Sequence, residues 1–380
     1  MINRFLIFFS LILLISTPAF AVGLSTTVAK QAYIVDFNTG QVLFAKNETE
    51  RMPTSSMSKV MTMYMVFQAL KAGKITKETE FEVSEKAWRM GGSKMFVEVG
   101  KRVKVEDLIR GVIIQSGNDA TIVLAEGLAG TEETFALAMT RQAKALGMQN
   151  TNFMNASGWP DDNHYSTAQD LSILATALIR DFPEYYEYYS EKEFEFAGIK
   201  QDNRNPLLYR DIGADGIKTG HTEAAGYGLI GSGEKDGRRI IMVVNGLESV
   251  KERASESVRL FSWALNSFEN LKIFSKNEVV ENAPVSMGKA PSVPLAVSED
   301  IIVTLPKMSR DQLEVEAIYT KPFLAPVEAG KRIGKLKLTI PGQEPLDYDL
   351  LTSSSVEELG FFAKMIEKAK MSVGGLLKKE

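Results

Sequence analysis

The sequence predicts an α/β (α+β) catalytic domain, an antiparallel sheet covered by helices, followed by a small all-β domain and a C-terminal amphipathic helix. Three observations carry that expectation. β-rich runs flank a helix-patterned middle, period-two alternation recurs in short segments after residue 300, and apolar residues step by three and four through the tail. With 380 residues the chain has length for two or three domains. Its net charge of -4, with both signs well mixed, offers neither a basic stripe for nucleic acid nor an acidic tail. The absence of cysteine removes disulfides, thiol chemistry and thiolate metal sites.

In chain order, Arg4 precedes the apolar run Phe5 to Ile15, and Thr17-Pro18-Ala19-Phe20-Ala21 supplies a small-residue cleavage site. Residues 1–21 therefore read as a secretory signal peptide, the alternative being an uncleaved anchor, with export to the bacterial periplasm or outer surface as the consequence. The runs 32–36 and 41–45, joined by Phe37-Asn38-Thr39-Gly40, read as a hairpin. From Ser56, Met57, Val60, Met61, Tyr64 and Phe67 recur at helical spacing until Gly73. Further helices are expected at 105–115, 120–128 and 132–146, and from Thr167, with Asp170 as its capping partner. Strands return at 216–219, 227–232 and 239–245, and a helix at 250–268 closes a catalytic domain spanning 22–270. Pro284, Pro291 and Pro294 mark a linker opening the next domain, 271–352, with strands at 301–305, 313–319, 333–340 and 346–350. Residues 353–380 read as the amphipathic helix, with Leu359, Phe362, Ile366, Ala369, Val373 and Leu376 on its apolar side and lysines near its end, a pattern that suits either packing on its own domain or a partner or attachment to a membrane surface.

Three short motifs bear chemistry. Ser56-Met57-Ser58-Lys59 places a serine at a helix start with a lysine one turn on, so the side chains meet. A serine hydroxyl needs a neighbour to take its proton, and a lysine held neutral by burial and nearby cations serves. The helix start also presents backbone N–H groups to a developing oxyanion. Ser116-Gly117-Asn118 falls between two helices, where Ser116 can pass a proton and Asn118 can hold a substrate amide. Lys218-Thr219-Gly220 ends a strand, where Gly220 admits an extended substrate while Lys218 and Thr219 bind a carboxylate. His221 follows, and Arg253 opens the closing helix as a second cation for the same anion. Each piece alone is also ordinary: a capped helix, a turn, a strand end. Decoys occur at Ser286 to Lys289 and Ser275 to Asn277, but neither has a helix to build on.

Order and placement together make the set specific. The chain resembles the penicillin-recognising serine transferase and peptidase family, most closely the low-molecular-mass penicillin-binding proteins that act as D-alanyl-D-alanine carboxypeptidases. The resemblance extends to Arg51-Met52-Pro53, Gly92-Ser93-Lys94-Met95-Phe96, Asn203-Arg204-Asn205, residues 215–222 and Arg253-Ala254-Ser255-Glu256-Ser257. It implies a penicillin-binding, β-lactamase-like transpeptidase fold and the following roles. Ser56 would be acylated by the penultimate D-alanine carbonyl with Lys59 as base, and the backbone N–H groups of Ser56 and His221 would form the oxyanion hole. Ser116 and Lys218 would help protonate the departing D-alanine, whose carboxylate Lys218, Thr219 and Arg253 would hold. Peptidoglycan pentapeptide stems are the implied substrates, β-lactams the inhibitors and the inner-membrane surface the partner of the terminal helix. No cofactor is called for. Two departures stand out: one extra residue between Pro53 and Ser56, and Gly117 where the general signature has aspartate, a variant expected among the carboxypeptidases.

The competing readings are a serine β-lactamase and a non-catalytic wall-binding or shape-determining protein of the same fold. The first lacks a Glu-x-x-Leu-Asn deacylation segment here. The intact Ser56, Lys59, Ser116 and Lys218 set opposes the second. His164 and His221 are the only histidines and match no zinc-ligand motif, so a zinc carboxypeptidase fits poorly, and His164 reads as a loop or structural residue. A Ser-His-Asp hydrolase would need a Gly-x-Ser-x-Gly elbow, which is missing.

Overall fold

A computed structural model of the chain describes residues 26–376, with side chains through residue 369. The expected signal peptide, 1–21, lies outside the described residues. The described chain divides into a larger unit, residues 26–272 with 302–307, and a smaller one formed by 273–301 and the residues from 308 onward.

The larger unit is organised by a five-stranded sheet of β1 (Gln31–Asp36), β2 (Val42–Lys46), β3 (Ala214–Thr222), β4 (Gly226–Lys235) and β5 (Arg238–Leu247), in the order β2-β1-β5-β4-β3. Every pairing is antiparallel, and β1 inserts beside β5 from the far end of the sequence. Local chemistry closes the hairpins. The Asp36 carboxylate accepts from the N–H groups of Asn38 and Thr39 at 3.0 and 2.9 Å. Between β4 and β5, Asp236 and Gly237 both take positive φ, 54° and 76°, the geometry that matches strand twist in a two-residue turn.

Helices cover this sheet: α1 (Lys59–Lys71), α2 (Val105–Ile113), α3 (Asn118–Ala129), α4 (Glu132–Ala145), α5 (Ala168–Asp181) and α6 (Val250–Asn266). α1 is buried on nearly every side, with Val60, Met61, Met63, Tyr64, Val66 and Phe67 in one core with residues of α3, α5 and the sheet. A helix packed all round carries its polar residues inside with it, and Lys59 is the first of them. The expected helix from Ser56 opens instead as a 3₁₀ turn, Ser55–Ser58, with α-helix only from Lys59. The left-handed Ser55, φ 49°, prevents an earlier start. Asn118 opens α3 instead of lying in the turn before it. At α5 the capping expectation holds in one direction: Thr167 Oγ1 accepts from Asp170 N–H at 3.0 Å. The Asp170 carboxylate turns to Asn150 N–H and the Thr151 hydroxyl at 2.8 and 2.7 Å, tying down the preceding loop.

The smaller unit contains β6 (Val279–Ser286), β7 (Ser292–Val297), β8 (Glu314–Tyr319), β9 (Phe323–Leu324), β10 (Arg332–Thr339) and β11 (Leu346–Thr352) in one six-stranded sheet, ordered β8-β10-β11-β7-β6-β9. The stretch expected as a proline-marked linker thus contains two strands. Proline removes a ladder N–H but keeps its carbonyl, and Pro294 O accepts from Ser353 N–H at 2.8 Å. Strand Ile301–Pro306, expected in the β module, pairs instead with Phe268–Phe274. Both decoy motifs sit at strand ends or turns, with Met287 and Asn277 at positive φ, 59° and 66°. The terminal helix, α7 (Phe361–Leu376), starts later than residue 353, because Val356 and Glu358 form bridges with Val327 and Gly288. Its Phe361, Phe362, Met365 and Ile366 are exposed. Among the described residues no helix is long and apolar enough to cross a membrane.

Candidate active site

The extra residue before Ser56 is accommodated by a kink. Ser55 takes its left-handed turn with its carbonyl against Gly158, where a Cβ would stand 1.8 Å from Ser55 O. On the other side a Cβ at Gly220 would meet Thr54 O at 3.0 Å and Ser55 Cβ at 3.2 Å, so the edge strand β3 runs tight against the turn at this glycine. Ser55 Oγ bridges the two by donating to Thr222 Oγ1 at 3.1 Å. The result leaves Ser56 partly exposed above the buried start of α1.

Lys59 is fully buried, and its Nζ lies 2.9 Å from Ser56 Oγ. It also donates to Asn118 Oδ1 and to the Ser157 carbonyl, both at 2.7 Å. Asn118 can only accept there, since its Nδ2 donates to Gly91 O at 2.9 Å. A neutral amine has two hydrogens and one lone pair; two fixed acceptors take the hydrogens, and the lone pair faces the Ser56 hydroxyl. Burial is the main reason the Lys59 pKa falls to about 7, helped by the charge of Arg204 and opposed by Asp119 and Glu132.

Ser116 sits in the turn between α2 and α3 at φ 59°, and its Oγ accepts from Lys218 Nζ at 3.0 Å. Burial pushes Lys218 well below the usual lysine range, and repulsion from Lys59, Arg204 and Arg253 adds to it. Ser56, Ser116, Thr219, Gly220, His221 and Arg253 line one cavity of about 250 Å³ with Ser93, Arg204, Tyr227 and Val250. Ser56, Asn118 and His221 also open onto a second, about 760 Å³, whose walls include Gly92, Ser93, Trp159 and Pro160. The structure therefore brings together every site residue expected from the sequence: Lys59 and Lys218 lie beneath the cleft and the others along it.

Several supporting groups were not legible beforehand. Buried Asp119 accepts from the N–H groups of Met95, Phe96 and Val97 at 2.8, 2.8 and 3.3 Å, fixing the loop that follows Ser93 in the cleft wall. In the sequence it reads as an ordinary acid at a helix start. Arg204 donates to Ser93 Oγ at 2.6 Å and supplies the charge felt by both lysines; only its place in Asn203-Arg204-Asn205 hinted at this. His164 has the structural role expected of it. Its Nδ1 accepts from Met154 N–H at 3.2 Å, so Nε2–H donates to Ser58 Oγ at 2.8 Å, and Ser58 in turn meets Thr54 Oγ1 at 2.6 Å. Burial holds this imidazole down to about 4, neutral under ordinary conditions.

Comparison with known proteins agrees with this geometry. The D-alanyl-D-alanine carboxypeptidase (peptidase S11) family profile matches residues 18–249, and the penicillin-binding protein 5 C-terminal domain profile matches residues 268–358. The D-alanyl-D-alanine carboxypeptidase DacA of Haemophilus influenzae is 39% identical over 358 residues, covering 92% of this chain and 91% of its own. The crystal structure of D-alanyl-D-alanine carboxypeptidase DacD from Francisella tularensis superposes with a TM-score of 0.79 at 32% identity, over 88% of this chain and 95% of that one. Penicillin binding protein 5 from Haemophilus influenzae gives 0.77 at 37% identity, over 89% and 100%. With the serine–lysine pair, the Ser116–Lys218 contact and the edge strand all in place, the chain belongs to the S11 family of D-alanyl-D-alanine carboxypeptidases, of the type with a penicillin-binding protein 5 C-terminal domain.

Proposed function

We propose that the protein removes the terminal D-alanine from peptidoglycan pentapeptide stems through an acyl-enzyme on Ser56, and that penicillin acylates the same serine. The observation that carries this reading is the buried Lys59 amine, 2.9 Å from Ser56 Oγ with its two other partners both acceptors. As Ser56 Oγ attacks the penultimate D-alanine carbonyl, Lys59 takes the hydroxyl proton. The backbone N–H groups of Ser56 and His221 stabilise the oxyanion. β3 is the edge strand of its sheet, so the peptide lies along it, with the terminal carboxylate toward Lys218, Thr219 and Arg253. Ser116, hydrogen-bonded to Lys218, returns a proton to the departing amine. Asn118 serves both the substrate amide and Lys59. Water then hydrolyses the ester.

The test is release of D-alanine from a pentapeptide ending in D-alanyl-D-alanine, together with the mass of the intact protein after benzylpenicillin. We expect release and one long-lived penicilloyl adduct on the peptide containing Ser56. No release overturns the reading, and turnover of benzylpenicillin many times per second replaces it with a β-lactamase.

The protein acts in the periplasm, and α7 holds it on the outer face of the inner membrane. The support is the exposed Phe361, Phe362, Met365 and Ile366 together with the lysines along the same helix. In co-sedimentation with anionic vesicles, the mature chain should pellet and a chain ending at Gly360 should remain in the supernatant; equal behaviour refutes the attachment.

A further inference from the structure

Tyr227 belongs to none of the catalytic motifs, yet it touches two of their members. It lies directly across from His221 in the β3–β4 pairing. Its ring stacks on the imidazole with centroids 3.8 Å apart and planes inclined by 23°. The guanidinium carbon of Arg253 lies 5.6 Å from the centroid of the same ring, within cation–π range. Arg253 is only 7% exposed, and among the described residues its buried Nε has no hydrogen-bond partner. Its aim toward the 250 Å³ cavity, which Tyr227 also lines, thus depends on the aromatic face more than on a polar anchor. The ring itself is placed by a tight turn: Thr222 Oγ1 accepts from Ala225 N–H at 3.2 Å, and Gly226 takes φ 68°.

We propose that Tyr227 is a positioning residue that clamps His221 and Arg253 at a fixed separation, so that the oxyanion donor and the carboxylate-binding cation engage one D-alanine unit together. This rests on the carboxypeptidase reading above and adds a residue to it. One rigid ring between the two contacts makes recognition of the free carboxylate and attack on the carbonyl interdependent. The aromatic face is the working part; the hydroxyl is not required.

The experiment measures kcat and KM for release of the terminal unit, D-alanine from a pentapeptide with a free C-terminal carboxylate and D-alaninamide from its C-terminal amide, using native protein and the Tyr227→Phe, Tyr227→Leu and Tyr227→Met variants. Phenylalanine should retain native constants. Leucine should raise KM for the free-carboxylate peptide about tenfold, as loss of one partly desolvated cation–π contact implies. It should also shrink the native preference for free carboxylate over amide. A general loss of folding would lower kcat on both peptides and leave that preference unchanged. Methionine, which keeps apolar volume without a ring, must behave as leucine does. The clamp is overturned if either ringless variant that melts like the native protein keeps native KM and preference, or if Tyr227→Phe is impaired as much as Tyr227→Leu. Failure of the native protein to release D-alanine would instead refute the underlying function.

Discussion

Replacing Lys59 with alanine is expected to slow acylation of Ser56 by about a thousandfold, the scale of a lost general base, and Ser56→Ala should abolish it. Lys59→Arg should not rescue, because a guanidinium stays charged and has no lone pair to offer. The pH dependence follows from the same residue. The base works when deprotonated, and burial brings the pKa of Lys59 down to about 7. The second-order rate of penicillin acylation should therefore rise about tenfold per pH unit below 7 and level off above it. Arg204 is the next contributor to that low value after burial. Arg204→Gln should move the midpoint to higher pH, whatever it does to the plateau. Stopped-flow acylation across the range would decide the matter: a flat profile through neutrality, or a Lys59→Ala variant acylating at the native rate, would remove lysine from the role.

Gly158→Ala is expected to be the most damaging single methyl in the larger unit. The position combines φ 79° with a would-be Cβ 1.8 Å from the carbonyl oxygen of Ser55. Left-handed strain and overpacking against backbone together cost about 2–5 kcal/mol. The backbone that must yield is Ser55, the residue preceding Ser56, so acylation should slow in the variant that still folds. Gly147 is the control: φ is 93° there, but nothing lies within 4 Å of its Cβ position. Gly147→Ala should cost about 1 kcal/mol and leave acylation native. Urea midpoints that fall equally for the two variants would show that packing against Ser55 contributes nothing.

Much of the site was legible because its chemistry uses residue types at short, fixed spacing. Ser56 and Lys59 are three positions apart, and even a 3₁₀ turn in place of an α-helix start leaves them in contact. Lys218, Thr219 and Gly220 lie on a strand that the sequence marks clearly. Asp119, Arg204, Gly158 and Tyr227 were not legible as parts of the site. Each acts on a partner far away in sequence: Met95 for Asp119, Ser93 for Arg204, Ser55 for Gly158 and Arg253 for Tyr227. In the fold, Pro284 and Pro294 were misleading because punctuation residues ended up inside strands.

By itself the sequence determined the family and the order of its motifs, and it singled out Ser56 and Lys59 as the candidate nucleophile and base, since these depend on local spacing and residue chemistry. Tertiary structure alone decided how Lys59 is kept neutral. A lysine is charged in water, and only burial in the core around α1, helped by the nearby charge of Arg204, brings its pKa down to about 7. Desolvation and Coulomb fields are sums over residues that folding brings together, so no window of sequence contains them.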